Sequence, residues 1–412
     1  MRVVVVALGK IGLPLAVAIA RAGHEVVGCD VDERVVSLVN DGRAPFPGEA
    51  GLEEALAELV PAGRLTAATD TTGAVAAGPE LVIAVPPLMV DQDARPDYAI
   101  LDSVVRDIGA GLVAGTTVSV ETTLPVGTSR HRIAPALEQH SGLREGRDFH
   151  LIFSPERVFS GRIFQDLENY PKLVGGLSPE GEARGVELYQ AFLSAEVWGM
   201  GSAEAAELTK LAETTYRDIN IAFANELARF SDQEGLDVER VIAAANSQPF
   251  SHIHHPGIAV GGHCIPVYPR FYLAGDPDAR LPLAARQVNE QMPAYAVRRL
   301  ESELGDLAGR RVLILGIAYR GGVKETAFSG AYPLQQALIA AGAIPQATDP
   351  LYDELELPGL RFAPWDGQPV DAAVIQADHP EYRHLTPESI GHAPVVLDGR
   401  RVTDAAALGA AG

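Results

Sequence analysis

The sequence predicts an α/β protein in which two doubly wound domains are joined by a long central helix and a helical segment. Apolar, strand-like runs alternate with helical stretches through residues 1–200, as in a parallel sheet with helices on both faces. Helical periodicity without Pro or Gly then covers residues 202–234, and strand-like runs return after it. We therefore expect an N-terminal α/β domain over residues 1–200, a central helical domain over 201–300 and a smaller C-terminal α/β domain over 301–412.

The acidic composition of the 412-residue chain narrows the range of partners. Asp and Glu number 54 against 33 Lys and Arg, giving a formal net charge of -21. This argues against nucleic acid and anionic membranes, although a few local cations can still hold an anionic small molecule. The two cysteines, Cys29 and Cys264, are too few for a disulfide framework, and no apolar run reaches the roughly 18 residues of a membrane span. We expect a cytoplasmic protein.

The N-terminal domain opens with a βαβ unit. Residues 3–6 are an apolar run typical of a strand buried on both faces, residues 13–22 a compact apolar helix and residues 25–28 a second strand. Further strands are predicted at residues 81–85, 117–120 and 150–153, and in the C-terminal domain at 311–316, 370–375 and 394–398.

The helix predicted over residues 202–234 has clear end signals. Ser202 can act as its N-cap, Glu204 favours its positive end, and Gly235 provides the stop. Such a helix is roughly 50 Å long. A helix of that length indicates a spine between domains or a dimer element.

The turn at residues 9–12 is the candidate cofactor site. It departs from the Gly-x-Gly-x-x-Gly dinucleotide fingerprint only at the first position, which is Ala7. Asp30 follows the second strand, 21 residues after Gly9, where a carboxylate accepts hydrogen bonds from both ribose hydroxyls of NAD and repels a 2′-phosphate. These features predict a Rossmann-like domain that binds NAD. The alternative is an ordinary glycine-rich turn in a fold that binds another ligand.

The stretch Gly261-Gly262-His263-Cys264 is the candidate nucleophile loop. Two glycines let backbone approach a ligand, and a cysteine directly after them is placed on a loop. A nucleophilic thiolate needs nearby positive charge or a helix N-terminus. The alternative, a buried structural thiol, suits Cys29 at the end of an apolar strand better than Cys264.

Four histidines near this loop raise the question of a metal. They are His252, His254, His255 and His263. Their spacing does not match the ligand patterns of zinc sites, so we predict no metal.

These motifs together resemble the UDP-glucose/GDP-mannose dehydrogenase family over essentially the whole length. The amino-acid sequence at residues 217–228 and 258–267 most resembles that of the family's UDP-N-acetylhexosamine dehydrogenase branch. The stretches that carry the resemblance are Gly261-Gly262-x-Cys264-x-Pro266, Thr122-Thr123-x-Pro125-x-Gly127-Thr128, Ser154-Pro155-Glu156-Arg157, Lys210-Leu211-x-Glu213, Asn225-Glu226, Tyr319-Arg320 and Asp398-Gly399-Arg400.

The resemblance implies a four-electron oxidation of the C6 alcohol of a UDP-sugar to a uronate with two NAD. A first oxidation gives an aldehyde, the Cys264 thiolate attacks it, and the thiohemiacetal is oxidised to a thioester that water hydrolyses. Lys210 would stabilise the oxyanion or steer protons, Glu156 would assist water or proton transfer, and Thr123 would position a water or the nicotinamide. The resemblance further implies a homodimer through the central helix, and uronate products that serve polysaccharide or natural-product biosynthesis.

The same resemblance assigns binding roles. The N-terminal domain would bind NAD, the central domain would carry catalytic and dimer residues, and the C-terminal domain would bind the UDP-sugar. Expected cofactor contacts come from Gly9, Lys10, Ile11, Gly12, Asp30, Arg34, Pro86 and Thr123. Expected substrate contacts come from Glu156, Arg157, Lys210, Arg217, Gly261, Arg320 and Arg400.

Three positions depart from the family pattern. Tyr268 stands where the family has Asp, Thr214 where it has Asn, and Ala327 where it has Arg. We include Thr214 and Tyr268 among the catalytic residues, since a hydroxyl and a phenol can supply hydrogen bonds there. Loss of one oxyanion donor costs roughly 10²–10³ in rate, so we expect a slow or differently gated second half-reaction.

Two alternatives remain open at this point. In the first, the altered site performs only a two-electron oxidation, or binds a sugar nucleotide without full turnover. In the second, the chain is a β-hydroxyacid dehydrogenase, a fold relative that lacks both the C-terminal α/β domain and the Gly-Gly-x-Cys loop.

Overall fold

A computed structural model describes residues 1–159, 161–353, 357 and 359–409 of the chain. The chain divides into two compact units, Met1–Glu213 with Arg270–Gly275, and Thr214–Pro269 with Asp276–Gly412.

The first unit is an α/β unit. Its strands are β1 (Arg2–Val6), β2 (Glu25–Cys29), β3 (Leu65–Ala68), β4 (Leu81–Ala84), β5 (Met89–Val90), β6 (Pro96–Asp97), β7 (Thr117–Val120), β8 (His150–Phe153), β9 (Lys172–Gly176) and β10 (Val197–Gly199). Its helices are α1 (Gly12–Arg21), α2 (Glu33–Asn40), α3 (Leu52–Leu59), α4 (Thr71–Ala76), α5 (Ala99–Gly111), α6 (Ala134–Ser141), α7 (Ile163–Asn169) and α8 (Pro179–Gln190), with a π-helical turn at Ser129–Ile133.

An eight-stranded sheet of order β10-β9-β8-β7-β4-β1-β2-β3 forms the centre of this unit. The strands from β8 to β3 are parallel, and the order of connection reverses between β1 and β4. Both of these central strands are buried, which explains their unbroken apolar sequences. In such sheets ligands bind outside the carboxyl ends of the strands at the reversal point, which here is the edge that carries the turn at residues 9–12.

One edge of the sheet departs from the predicted parallel order. β9 runs antiparallel to β8, with Ile152 opposite Gly176 and Phe153 opposite Gly175. A parallel partner needs a crossover connection over the sheet, whereas this chain returns to β8 from the opposite direction. Lys172, the first residue of β9, therefore lies at the edge where β7 and β8 end.

The second unit has a smaller parallel sheet of order β12-β11-β13-β14. Its strands are β11 (Arg311–Leu315), β12 (Ile344–Thr348), β13 (Ala372–Ile375) and β14 (Val396–Asp398). The remaining helices of the chain are α9 (Ala203–Glu234), α10 (Val238–Ala245), α11 (Tyr268–Gly275), α12 (Arg280–Leu304), α13 (Ala331–Ala340) and α14 (Ala405–Gly409), with a 3-10 helix at Pro380–His384. Apolar clusters cover both faces of the sheet, as in a doubly wound unit.

Helix α9 runs from the first unit into the second. Within the second unit a buried polar network ties it to α12. Asp218 accepts hydrogen bonds from Arg286 and Asn289, and Asn289 in turn accepts one from Asn225 at 2.8 Å. Asn225 also accepts a hydrogen bond from the N–H of Gly257 at 2.9 Å, which anchors the start of the loop that leads to Cys264.

The predicted fold class is confirmed, including both doubly wound sheets and the long helix. The predicted strands begin and end within two residues of the observed ones, and the helix predicted over residues 202–234 is observed as Ala203–Glu234. None of the helices in the described part of the chain is long and apolar enough to cross a membrane.

Candidate active site

The turn between β1 and α1 is shaped to receive a phosphate. At Gly9 an added Cβ would meet no heavy atom within 4 Å, so the backbone there is open to a ligand. At Gly12 an added Cβ would lie 2.0 Å from the carbonyl oxygen of Ala7, so only glycine fits. No side chain caps α1 at Ile11. The N–H of Leu13 donates to the carbonyl oxygen of Gly9, and Pro14 has no N–H. The N–H of Gly12 is therefore the group at the start of the helix that can meet a pyrophosphate. The turn fits a dinucleotide.

Ala7 is the one position of the turn under backbone strain. Its φ of 76° is left-handed, which costs a residue with a Cβ about 1–2 kcal/mol relative to glycine. We expect Ala7→Gly to raise the free energy of unfolding in urea by about 0.5–1 kcal/mol, since glycine also gains freedom in the unfolded chain. The matched change Ala18→Gly, in the interior of α1, should lower it by about 1 kcal/mol. Equal losses in both variants would contradict the strain at Ala7.

Asp30 lies beside the same turn. Its carboxylate accepts hydrogen bonds from the N–H of Leu8 at 2.8 Å and from the N–H of Asp32 at 3.0 Å. A carboxylate has about four acceptor positions, so both oxygens can still accept from ribose hydroxyls. Two predicted cofactor residues, Lys10 and Arg34, are exposed near this edge, and the Arg34 guanidinium lies 4.0 Å from Asp32.

The turn after β7 contains Thr123 and is fixed by α9. The Thr122 hydroxyl donates to the carbonyl oxygen of Pro86, and Thr123 is buried. Glu207 of α9 is buried and accepts a hydrogen bond from the N–H of Gly127 at 2.5 Å. The turn therefore cannot shift without breaking contacts to a helix and to the loop after β4.

Glu156 lies in a buried ionic cluster where β7, β8 and β9 meet. The Lys172 ammonium donates to Glu156 Oε2 at 2.9 Å and to Glu121 Oε2 at 2.5 Å. The Tyr189 hydroxyl of α8 donates to Glu121 Oε1, and Ser119 lies 2.8 Å from that hydroxyl. Sequence reasoning missed Lys172, Glu121 and Tyr189.

The surroundings in this cluster shift the pKa values of Glu121 and Glu156 in opposite directions. Burial raises the pKa of Glu121 to about 7 against the opposing effect of Lys172. Burial would also raise the pKa of Glu156, but the Lys172 ammonium, the N–H of Arg157 and the Lys210 ammonium outweigh it and lower that pKa below its usual value. Glu156 is therefore ionised at neutral pH.

Two predicted residues, Glu156 and Arg157, interact with side chains of α9. Lys210 is half-buried and close enough to Glu156 to lower its pKa, so the structure brings these two predicted catalytic residues together. The Arg157 guanidinium donates to Glu213 of α9 at 2.9 Å and to the carbonyl oxygen of Pro171 at 3.3 Å. Arg157 is thus paired with a carboxylate of its own chain.

The nucleophile loop belongs to the second unit and requires its glycines. At Gly261 an added Cβ would lie 2.6 Å from the Cβ of Tyr319, and at Gly262, with φ of +86°, it would press on the Tyr319 ring. The Gly262 N–H donates to the carbonyl oxygen of Ala327 at 2.8 Å. The loop is therefore packed directly on the segment that carries Tyr319 and on the segment that carries Ala327.

Cys264 is exposed at the end of this loop, as predicted, whereas Cys29 is buried. The carbonyl oxygen of Cys264 accepts a hydrogen bond at 2.9 Å from the N–H of Tyr268, the first residue of α11. Cys264 therefore lies directly before a helical run. His263 lies 3.6 Å from Glu325 on the same side of the loop.

Arg400 carries a desolvated guanidinium in the second unit. It donates to the carbonyl oxygens of Gln376 at 2.9 Å and Tyr319 at 3.3 Å, and burial lowers its pKa against the opposing effect of Asp378. Within the described residues no carboxylate lies within 4 Å of it. Tyr319 thus contacts both groups: its carbonyl oxygen accepts from Arg400, and its side chain packs against Gly261 of the loop.

The other predicted residues of this unit are dispersed. Arg320 is exposed and donates to the Tyr319 hydroxyl at 3.0 Å. Arg217 is exposed on α9, and it lowers the pKa of His254 together with burial and Arg400. Thr214 is buried on α9 and Tyr268 is half-buried at the start of α11. Among the described residues there is no group of three or more His, Cys, Asp or Glu placed to hold a metal ion.

Three family models match the chain in order. They are the NAD binding domain of the UDP-glucose/GDP-mannose dehydrogenase family over residues 1–193, its central domain over 204–291 and its UDP binding domain over 313–405. The chain belongs to the UDP-glucose/GDP-mannose dehydrogenase family. It is an oxidoreductase that uses NAD, and residues 313–405 are its UDP-binding domain.

Relatives within the family extend over the whole chain. A UDP-N-acetyl-D-mannosamine dehydrogenase of Pyrococcus horikoshii is 34% identical over 98% of this chain and 96% of its own length, and its solved structure has a TM-score of 0.88. An NDP-N-acetyl-D-galactosaminuronic acid dehydrogenase of Ralstonia solanacearum is 31% identical over 98% of this chain and 97% of its own. The structure of a UDP-glucose dehydrogenase from Pyrobaculum islandicum, 27% identical over 99% of this chain and 98% of its own, has a TM-score of 0.86.

Proposed function

We propose that the protein oxidises the C6 alcohol of a UDP-N-acetylhexosamine, or of a UDP-glucose-type sugar, to the uronate through Cys264. The observation that carries this proposal is the exposed Cys264 thiol at the end of a loop whose glycines are required by the packing on Tyr319. Similarity to UDP-N-acetyl-D-mannosamine dehydrogenases supports the choice of sugar. Bound NAD supplies the hydride acceptor in both oxidations.

Cys264 makes the covalent step possible. Its thiolate adds to the carbonyl carbon of the C6 aldehyde, forming a C–S bond and an alkoxide that takes up a proton. Loss of a hydride from C6 of the thiohemiacetal, together with the proton of its hydroxyl, gives a thioester, and water cleaves the C–S bond to release the uronate and the thiol.

Side chains on other elements would handle charge and protons. Lys210 would stabilise the oxyanion, and Glu156, held ionised, would accept a proton from the attacking water. Thr214 and Tyr268 would donate hydrogen bonds in place of the amide and carboxylate of other family members. Thr123 would position a water or the nicotinamide.

The binding residues divide between the two ligands. Gly9 to Gly12 and Asp30 would hold the pyrophosphate and ribose of NAD, with Lys10, Arg34 and Pro86 beside them. Arg400 is the strongest candidate for a substrate anion, since its guanidinium is desolvated and its hydrogen-bond partners among the described residues are carbonyl oxygens. Arg157, Arg217, Gly261 and Arg320 complete the proposed substrate set.

A ligand panel followed by stoichiometry tests this function. Thermal shifts are measured with NAD and UDP-, GDP- and TDP-sugars, and NADH is then counted per sugar consumed. We expect a shift with a UDP-sugar and two NADH per sugar. A shift with NAD alone and with no sugar nucleotide would contradict the proposal.

A two-electron oxidation is the second candidate. It is favoured by Tyr268 at the first position of α11 and by the buried Thr214, which together replace a carboxylate and an amide. One NADH per sugar, with an aldehyde that reacts with a hydrazine, would establish it in place of the four-electron reaction.

A homodimer through α9 is part of the proposal. Tyr216, Phe223 and Phe230 recur at seven-residue spacing along this helix and are 62%, 49% and 60% exposed. Such a stripe is typical of a helix packed on a second helix. Phe223→Asp combined with Phe230→Asp should convert a dimer to a monomer in light scattering, whereas Phe250→Asp, at a 92% exposed position outside the stripe, should leave it dimeric. A wild-type monomer at micromolar concentration would exclude this interface.

The remaining expectations concern organisation and location. The division into domains at residues 1–200, 201–300 and 301–412 stays a prediction. We also infer a cytoplasmic location, which the two free cysteines support.

A further inference from the structure

One ammonium serves two carboxylates in the buried cluster of the first unit. The side chain of Lys172 is 5% exposed, that of Glu121 is 0% exposed and that of Glu156 is 10% exposed. An unpaired charge at such a depth is strongly unfavourable, so the cation cannot be removed without changing the charge state of both acids. The Lys172 ammonium also lies over the ring of Tyr189, 5.2 Å from its centroid.

Glu156 is the member of the cluster that is held in one orientation. Its Oε2 accepts from Lys172, and its Oε1 accepts from the N–H groups of Arg157 at 2.7 Å and Val158 at 3.2 Å. The backbone itself joins the two acids, because the Glu156 N–H donates to the carbonyl oxygen of Glu121 at 3.3 Å. Each carboxylate oxygen of Glu156 therefore has at least one fixed donor. The lone pairs that remain free to accept a proton point in defined directions.

We propose that Lys172 is a positioning residue for Glu156, keeping its carboxylate ionised and fixed in direction, and that Glu121 with Tyr189 fixes Lys172 in place. This inference rests on the proposed role of Glu156 as a proton acceptor. It assigns a function to the antiparallel course of β9, which brings Lys172 to the carboxyl edge of β7 and β8.

The two neighbours of Glu156 in the cluster act differently on its titration. The groups that face Glu156 are Lys172 on β9, Glu121 after β7, Lys210 on α9 and the N–H of Arg157. Removing the Lys172 charge raises the pKa of Glu156, so activity is lost at higher pH as the solution is acidified. Glu121, with a pKa of about 7, is already protonated where Glu156 titrates, so Glu121→Gln should leave the acid limb in place.

The experiment compares Lys172→Met with Glu121→Gln in the full-length protein. The pH profile of kcat is recorded with NAD and the UDP-sugar found in the panel. We expect the acid limb to move up in K172M and to stay in place in the matched control E121Q, with kcat of K172M reduced at least about 10-fold below neutral pH and little change in KM. Lys172→Arg should restore part of the loss.

A second readout does not depend on turnover. The Glu156 carboxyl carbon is followed by NMR in protein labelled with [5-13C]glutamate, with Glu156→Gln providing the assignment. Its titration should move up in K172M and stay in place in E121Q. If wild-type protein produces no NADH with any UDP-sugar, the proposed function fails while this titration still decides the pairing.

Lys172→Gln keeps the test decisive if K172M does not fold. An acid limb and a carboxyl titration that stay in place in the folded Lys172 variant, or that move equally in E121Q, would overturn the assignment. If K172M loses stability but keeps the pH profile of the wild type, Lys172 stabilises the fold and does not position Glu156.

Discussion

Cys264→Ala is expected to abolish uronate formation, lowering the steady-state rate of NADH production by at least about 10⁴-fold, the scale of loss when a nucleophile is removed. The reason is that no other thiol is available: Cys29 is buried and burial raises its pKa to about 11. The first oxidation needs no thiolate, so C264A should still release one NADH per active site when mixed with substrate and NAD. Stopped-flow absorbance at the nicotinamide band measures both phases.

Thiol labelling provides the matched control for this variant. Iodoacetamide at neutral pH should label one thiol per chain in the wild type, none in C264A and one in Cys29→Ala, as read by mass spectrometry. C29A should also retain turnover if it folds. Full turnover by C264A, with two NADH per sugar, would remove the thiol from the mechanism.

Lys210→Met should lower kcat by roughly 10²–10³-fold, the usual cost of losing one group that stabilises an oxyanion. Lys210 is half-buried beside the Glu156 cluster and lowers the pKa of that carboxyl, so its charge reaches the residues assigned to proton transfer. KM for the sugar nucleotide should change much less, since the charge acts on an oxyanion that forms only during the reaction.

Arg229, a second cation on α9, provides the control for Lys210→Met. Arg229 packs over the Tyr295 ring and has no assigned role in binding or chemistry. Arg229→Met should leave kcat within about twofold of the wild type. If R229M and K210M lose the same activity, the effect belongs to the net charge or stability of α9, and the assigned role of Lys210 is wrong. Initial rates at saturating NAD and sugar nucleotide suffice for the comparison.

The fold was predictable wherever one segment determines its own structure. Unbroken apolar runs identified β1 and β4 because strands buried on both faces need no alternation. The absence of Pro and Gly, with Ser202 before it and Gly235 after it, identified α9. The direction of β9 was not predictable, because a strand's sequence does not record which neighbour it pairs with or from which end.

The motifs of the candidate site were predictable from the sequence. The residues that hold those motifs in place were not. Gly9, Gly12 and Cys264 carry local signals, since a glycine turn or a glycine-cysteine loop is visible in a few residues. Lys172 lies 16 residues from Glu156 and 51 from Glu121 along the chain, and only the pairing of β9 with β8 brings them within hydrogen-bond distance. Lone lysines and glutamates are usually surface residues, so composition gives no reason to connect them.

The ion pair between Glu156 and Lys172 also closes a loop. The segment at residues 157–171 leaves the sheet at one partner of that pair and returns at the other, so its two ends are joined at 2.9 Å whatever lies between them. Closing such a loop costs little more as it lengthens, about 0.6 kcal/mol for each doubling. The loop is also held by its own packing, because Ile163 and Leu167 of α7 are buried in the apolar core of the first unit. Exchanges at the exposed positions between these contacts should therefore leave the carboxylate where it is.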